Sequence, residues 1–90
     1  MKVKDLITNR SRWCKHYYAK DRQGNSVKPD SPFAARFCLW GGLIRCYPND
    51  AARARARTKL QEVIGMPIAH FNDAVAKFPD VRRALEKANV

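Results

Sequence analysis

The chain has 90 residues, of which 18 are Lys or Arg and 8 are Asp or Glu, so its formal net charge at neutral pH is +10. A chain of this length is expected to form one domain, 1–90, around a single small core. No segment reaches the roughly 18 apolar residues that a membrane span needs. The three cysteines are an odd number and predict reduced thiols in a cytoplasmic protein, not a disulfide framework.

The segment from Val3 to about Ala19 shows a partial helical spacing of apolar residues. It predicts one helix or two short ones, with an interruption at Asn9–Ser11. The side chains expected to face the core are those of Val3, Leu6, Ile7, Cys14, Tyr17 and Tyr18, with Trp13 beside them.

The polar stretch that follows predicts a short hairpin or an irregular loop near 21–27. Asp21 and Gly24 suit the first and fourth positions of a type I turn. Short strands are expected on either side of the turn, near Tyr18–Lys20 and Ser26–Lys28.

Ser31–Tyr47 is the most apolar stretch of the chain and predicts a buried central helix that the other elements surround. Asp30 or Ser31 is expected to cap its start, and Pro48 ends it. Gly41 and Gly42 would each weaken a helix by about 1 kcal/mol relative to Ala. We therefore expect a close backbone contact or a bend at these glycines.

Two further helices are predicted after Pro48. Asn49 suits the N-cap of a helix that runs to about Ile64, and Gly65 suits its end. A short helical turn capped by Asn72 or Asp73 is expected next, followed by a last helix at Pro79–Ala88. The predicted fold class is therefore mainly α: a small single-domain helical bundle around the 31–47 helix.

Basic residues occur in two groups that are candidates for ligand binding. In the third helix no acidic residue lies between Asp50 and Glu62, and in the N-terminal region basic residues alternate with aromatic ones. Arginine donates in a fork that fits phosphate oxygens, and basic residues with aromatic neighbours suit nucleic acid. A solvated outer helix face is the alternative. The candidate phosphate contacts are Arg53, Arg55, Arg57, Lys59, Arg10, Arg12, Lys15 and Arg22.

The sequence offers less support for metal binding or catalysis. Cys38 and Cys46 are eight residues apart, on roughly one helix face, so we expect core thiols and no metal site. No pattern typical of nucleophilic catalysis or of a phosphate-binding glycine loop is present, so we expect neither catalytic residues nor a cofactor. Arg36 and Arg45 are expected to pair with Asp73 or Asp21; the alternative is a pocket for an anionic ligand.

Three residue patterns carry a resemblance. The first begins at Trp13 and includes AKDRQGNSV; the second is ARFCL with Gly41 and Leu43; the third is FND before a terminal helix. Together, over about residues 13–88, they resemble a small family of uncharacterised domains of bacteria and their phages. Gly42, where Ala would be expected, and the arginine-rich third helix differ from it. The resemblance implies a compact helical fold and a phage setting, and it implies no activity.

The leading functional hypothesis is non-enzymatic binding of a polyanion, either nucleic acid or a nucleotide-type ligand. Neutralisation of phosphates would give low sequence specificity and a steep dependence on salt. The alternative is a phage-encoded inhibitor that acts in the host cytoplasm by binding a defence protein or complex. Neither hypothesis involves a membrane.

Overall fold

The computed structural model describes all residues, 1–90. The chain forms five helices and one two-stranded sheet. Helix α2 lies at the centre, where it packs against α1, α3 and α4, while α5 packs on α1 and α3. None of the helices has the length and apolar character required to cross a membrane. The elements are α1 (Val3–Leu6), a 3-10 turn (Arg10–Arg12), β1 (Ala19–Lys20), β2 (Arg36–Phe37), α2 (Leu39–Cys46), α3 (Asp50–Ile64), α4 (Ile68–His70) with a π-helical turn (Phe71–Val75), and α5 (Phe78–Ala88).

The hydrophobic core contains buried residues from α1, α2, α3 and α5. Leu43, Leu60 and Leu85 contribute fully buried side chains from α2, α3 and α5, and Phe37 adds a fully buried ring from β2. The predicted mainly α class with a central buried helix is confirmed, although that helix is shorter than expected.

The prediction that the central helix starts at Ser31 is wrong, because α2 begins only at Leu39. The Ser31 hydroxyl accepts a hydrogen bond from the Phe33 amide at 3.1 Å, which closes a turn. The Ala35 amide then donates to the Lys20 carbonyl at 2.8 Å. The backbone donors of 31–37 are therefore used in a turn and in pairing with β1. The cap of α2 is the thiol of Cys38, which accepts from the Gly41 amide at 3.2 Å.

The prediction of one helix or two short ones over Val3–Ala19 is confirmed only as far as Arg12, by α1 and the 3-10 turn, and is wrong for the rest of the segment. After α1 and the 3-10 turn, Trp13 bridges to Phe37 in a parallel sense, and the backbone then bends at residues 15–18 before β1. Val3, Leu6, Ile7 and Cys14 are buried as expected. Tyr17 and Tyr18, which were expected to face inward, have 48% and 60% of their surface exposed.

The turn near 21–27 is present, but the main partner of β1 lies elsewhere. The Gly24 amide donates to the Asp21 carbonyl at 3.1 Å, as a type I turn requires. Ser26 forms only a single bridge to Lys20, whereas Ala19–Lys20 pairs antiparallel with Arg36–Phe37. The strand β1 is thus held between two neighbours.

The two C-terminal helices agree closely with the predictions. The Asn49 side chain accepts from the Ala52 amide at 3.0 Å to cap α3, and Gly65 ends the helix with a left-handed φ of 73°. Helix α5 begins one residue before Pro79. Asn72, predicted as a possible helix cap, lies instead inside the π-helical turn with its side chain buried.

Candidate functional site

The buried side chain of Asn72 connects three separate parts of the chain. Its Oδ1 accepts from the Trp13 indole at 2.8 Å and from the Leu39 amide at 3.1 Å. Its Nδ2 donates to the Cys14 carbonyl at 3.1 Å and to Asp73 Oδ1 at 2.8 Å. Asn72 therefore fixes the segment before β1 relative to the start of α2, and all its hydrogen-bonding capacity is used.

His16 is held in a strained backbone conformation beside this connection. Its φ of 71° lies in the left-handed region, which costs a residue with a Cβ about 1 kcal/mol or more. The His16 amide donates to Asp73 Oδ1 at 3.0 Å, and its ring Nδ1 lies 3.8 Å from Asp73 Oδ2. These contacts compensate for the strain and set the direction of the chain just before the two exposed tyrosines.

A groove of about 890 Å³, called here the aromatic groove, lies between these tyrosines, the 26–31 loop and the π-helical turn. Tyr17, Tyr18 and Trp40 line it with rings, and Cys38 and Asn72 are among its buried residues. The acidic and basic side chains of the lining are those of His16, Lys28, Asp30 and Asp73.

All three cysteines of the protein are free thiols, and one of them, Cys38, lines this groove. Burial raises the pKa of the Cys14 thiol to about 11, and burial also raises the pKa values of Cys38 and Cys46. A thiol whose pKa is raised is mainly protonated at neutral pH and is a weak nucleophile. No three His, Cys, Asp or Glu side chains are grouped closely enough to hold a metal ion.

A second groove of about 620 Å³, called here the arginine groove, lies beside the 21–25 turn. Arg12, Arg22 and Arg36 line it, and none of them forms an ion pair. The Phe33 ring, which is 75% exposed, also lines it.

The only acidic residue that lines the arginine groove is occupied by its own turn. Asp21 Oδ1 accepts from the Gln23 and Asn25 amides, both at 2.9 Å, and Oδ2 accepts from the Asn25 side chain at 3.2 Å. These hydrogen bonds, above all those from Asn25, lower the pKa of Asp21. The carboxylate is thus bound within its own turn and forms no ion pair with the three arginines.

The predicted basic residues of α3 differ from one another in their contacts. Arg53 donates to the Tyr47 carbonyl at 3.0 Å and pairs with Asp50, so it stabilises the start of the helix. The Arg57 guanidinium lies 5.7 Å from the centre of the Trp40 ring, next to the aromatic groove. Arg55 and Lys59 are exposed and have no ion pair.

The other predicted contacts lie in the N-terminal region. Arg10 is exposed in the 3-10 turn, and the Lys15 ammonium lies 5.3 Å from the centre of the Trp13 ring. Of the eight predicted residues, the structure brings Arg12 and Arg22 into one groove and links Arg57 to the other.

The expected ion pairs of Arg36 and Arg45 with Asp73 or Asp21 are absent. Arg45 instead donates to the carbonyls of Pro29 and Ser31, at 2.9 and 2.8 Å, because the 29–31 turn leaves these acceptors beside α2.

Comparison with known proteins gives a family. A family model described as "Family of unknown function (DUF6197)" matches residues 1–89. The chain belongs to the DUF6197 family. The predicted resemblance to a small uncharacterised family is therefore confirmed. No curated protein and no solved structure matches the chain.

In this DUF6197 protein, several of the residues on which the resemblance was based have a structural role. Trp13, Asn72 and Asp73 form the hydrogen-bonded connection beside the aromatic groove, and Cys38 caps α2. Gly41 lies where an added Cβ would be only 1.8 Å from the Tyr18 carbonyl oxygen.

Two residues of the two grooves were not predicted as ligand contacts, and a third was predicted only as an alternative. Phe33 was assigned to the central helix and Asn72 to a helix cap, while Arg36 was expected in an ion pair, with a pocket for an anionic ligand as the alternative. For Arg36 the sequence did carry a signal. This signal was the arginine content of residues 10–36, but only the pairing of β1 with β2 places Arg36 near Arg12 and Arg22.

Most of the positive charge of the DUF6197 protein has no carboxylate partner. Of 18 Lys and Arg side chains, only four form ion pairs, and they are Lys4, Arg53, Arg82 and Arg83. A positive field that the protein does not neutralise attracts anionic partners.

Proposed function

We propose that this DUF6197 protein is a non-enzymatic binder of a polyanion, and that the polyanion is nucleic acid. The observation that carries the proposal is the arginine groove, where Arg12, Arg22 and Arg36 line one concave surface without an ion pair. Guanidinium groups in such an arrangement suit the closely spaced phosphates of a nucleic acid backbone.

The other predicted cations are expected to contribute to nucleic acid binding to different degrees. Arg10 belongs to the same 3-10 turn as Arg12, and Arg55, Arg57 and Lys59 form a second basic region on α3. Lys15 contributes charge next to Trp13. Arg53 contributes least, because its guanidinium is already bound to the Tyr47 carbonyl and to Asp50.

Binding through phosphate contacts predicts a weak preference for nucleotide sequence. Phosphate contacts position a protein on nucleic acid but carry no sequence information. The three free cysteines are compatible with a reducing compartment, and we propose a cytoplasmic location, where nucleic acid is accessible.

Fluorescence anisotropy with labelled single- and double-stranded oligonucleotides, across a salt series, tests the proposal. The variant Arg12→Ala/Arg22→Ala/Arg36→Ala is expected to bind at least about tenfold more weakly than the wild type at low salt, because three charged contacts are lost. Binding by the wild type is expected to weaken steeply as salt increases.

The matched control is Lys77→Ala/Arg83→Ala/Lys87→Ala, which removes the same charge from exposed positions of α5 and the residue before it. It is expected to retain most of the affinity. Equal losses in both triple variants would mean that only the overall field matters and would overturn the assignment to the arginine groove. Absence of binding at low salt would overturn the function itself.

The alternative, a phage-encoded inhibitor of a host defence complex, makes a different prediction. Such a protein would co-purify from host lysate with one defined protein after nuclease treatment. A nucleic acid binder would lose its companion under the same treatment.

A further inference from the structure

The aromatic groove contains rings that the core does not require. Tyr17 and Tyr18 are about half exposed and lie outside the hydrophobic core, while Trp40 is only partly buried against it. Exposed aromatic rings that line one groove are typical of surfaces on which a planar ligand stacks. The volume of about 890 Å³ lies within the range of small-molecule sites.

Cations accompany two of these three rings. The Lys20 ammonium lies 4.5 Å from the centre of the Tyr17 ring, and the Arg57 guanidinium lies 5.7 Å from the centre of the Trp40 ring. Lys28, which is exposed, lines the groove itself. The charges therefore suit a ligand that joins a planar group to an anionic one.

The acidic groups of the groove do not oppose such a ligand. Asp73 is engaged by the His16 amide and by the side chain of Asn72. Asp30 is exposed, and its carboxylate can accept hydrogen bonds from the exocyclic amino group of a base.

Hydrogen bonds from several parts of the chain hold the backbone on the tyrosine side of the groove. The left-handed His16 and the buried Asn72 fix the backbone on the N-terminal side of the tyrosines, and the Tyr18 carbonyl accepts from the Cys38 amide at 3.2 Å. A surface fixed in advance loses little entropy when it binds.

We propose that the aromatic groove stacks an unpaired nucleobase, while Lys20, Lys28 and Arg57 contact the adjoining phosphates. This inference rests on the proposed function and specifies it, because a base inside a duplex is not available for stacking on a protein ring. The ligand chemistry is a base joined to a phosphate, and its source is either single-stranded nucleic acid or a free nucleotide.

The test compares a single-stranded oligonucleotide with an abasic strand of the same length and phosphate number. The wild type is expected to bind the base-containing strand about tenfold more tightly or better, since each stacked base adds substantially to affinity. In Tyr17→Ala/Tyr18→Ala this ratio is expected to fall towards one, with the affinity for the abasic strand unchanged. The control is Phe33→Ala, which removes an exposed ring from the arginine groove.

The outcomes distinguish base stacking in the aromatic groove from the binding of nucleic acid through its phosphates. Equal binding of both strands by the wild type would overturn base stacking and leave phosphate binding intact. Loss of the ratio in Phe33→Ala, but not in the tyrosine variant, would place the base in the other groove and overturn the inference. Failure to bind either strand would overturn both proposals.

Competition distinguishes the two ligand sources. A nucleoside monophosphate that displaces the labelled strand from the wild type, when inorganic phosphate does not, would support a free nucleotide as the ligand. Absence of displacement by the monophosphate, with the tyrosine-dependent ratio present, would support single-stranded nucleic acid.

Discussion

Asn72 illustrates how one residue can decide local structure in a small protein. Only 1% of its surface is exposed, yet it forms four hydrogen bonds to groups from three segments. Its removal would leave the Trp13 indole, the Leu39 amide and the Cys14 carbonyl without partners. Buried polar groups left unsatisfied cost about 1–3 kcal/mol each, although repacking and water reduce the sum.

We therefore expect Asn72→Ala to lower the free energy of unfolding by about 3 kcal/mol. Urea denaturation followed by circular dichroism measures this change. The control is Asn9→Ala, which removes the exposed cap of the 3-10 turn and should cost about 1 kcal/mol or less. If both variants lose the same small amount, Asn72 does not have the role assigned to it.

Because the Cys14 thiol is buried, we predict that the free energy of unfolding depends on pH in the alkaline range. Burial raises its pKa from 9.0 to about 11 in the folded protein, so the unfolded chain releases the proton first. The stabilisation is complete below pH 9 and is lost as pH rises through 9 towards 11. The free energy of unfolding of Cys14→Ala should therefore fall less over this range than that of the wild type. Parallel curves for the two proteins would contradict the prediction.

At the level of elements, the contact between α2 and the segment before β1 depends on Gly41. A Cβ at this position would meet the Tyr18 carbonyl oxygen at 1.8 Å and its carbon at 2.7 Å. Because these are backbone atoms, α2 and the segment around Tyr18 would have to separate. We expect Gly41→Ala to destabilise the protein by about 3 kcal/mol, a large effect for added core volume, and to alter the aromatic groove.

Gly42→Ala is the matched comparison for thermal or urea unfolding. Its Cβ would meet side-chain atoms instead, Val3 Cγ1 at 2.7 Å and Ile7 Cδ1 at 3.3 Å. Ala also favours a helix by about 1 kcal/mol relative to Gly, which offsets part of the crowding. The loss should therefore be smaller than for Gly41→Ala, and the reverse order would contradict the backbone contact.

The elements that could be predicted from the sequence are those whose ends are determined by residues at the ends themselves. Asn49 and Gly65 define the ends of α3 through their own side chain and backbone conformation. The 31–38 segment could not be assigned, because its apolar spacing fits a helix while its backbone pairs with β1, many residues earlier. A short apolar segment does not reveal which of these structures it adopts.

The same reasoning explains how much of each groove could be predicted. The charge pointed to Arg and Lys as candidate phosphate contacts, and the structure brings Arg12 and Arg22, both from the predicted N-terminal basic region, to one groove. The aromatic groove could not be foreseen, because it depends on a contact between Trp13 and Asn72, 59 residues apart. The exposure of Tyr17 and Tyr18 follows from the backbone at His16, which the sequence does not indicate.

At the level of the whole molecule, size and charge act together. A domain of 90 residues buries a modest fraction of its chain and is only marginally stable. Most of its basic side chains have no carboxylate partner, and uncompensated like charges repel one another in the compact state. A polyanion that binds only the folded state would relieve this repulsion and add binding free energy.

Binding should therefore raise the melting temperature by a large amount. At a free oligonucleotide concentration about 100 times the Kd, the folded state gains about 2.7 kcal/mol, and a domain of this size shifts by about 4–8 °C for each kcal/mol. We expect differential scanning fluorimetry at low salt to show an increase of about 10 °C or more with a single-stranded oligonucleotide. The shift should shrink as salt is added, because phosphate contacts release counterions.

The two triple variants make this measurement specific to the arginine groove. Arg12→Ala/Arg22→Ala/Arg36→Ala should show a clearly smaller shift at the same oligonucleotide concentration, while Lys77→Ala/Arg83→Ala/Lys87→Ala, with the same net charge, should keep most of it. Both variants have less self-repulsion than the wild type, so each melting temperature is compared with that of the same variant without ligand. A wild-type protein that melts at one temperature with and without the oligonucleotide at low salt would contradict binding to the folded state.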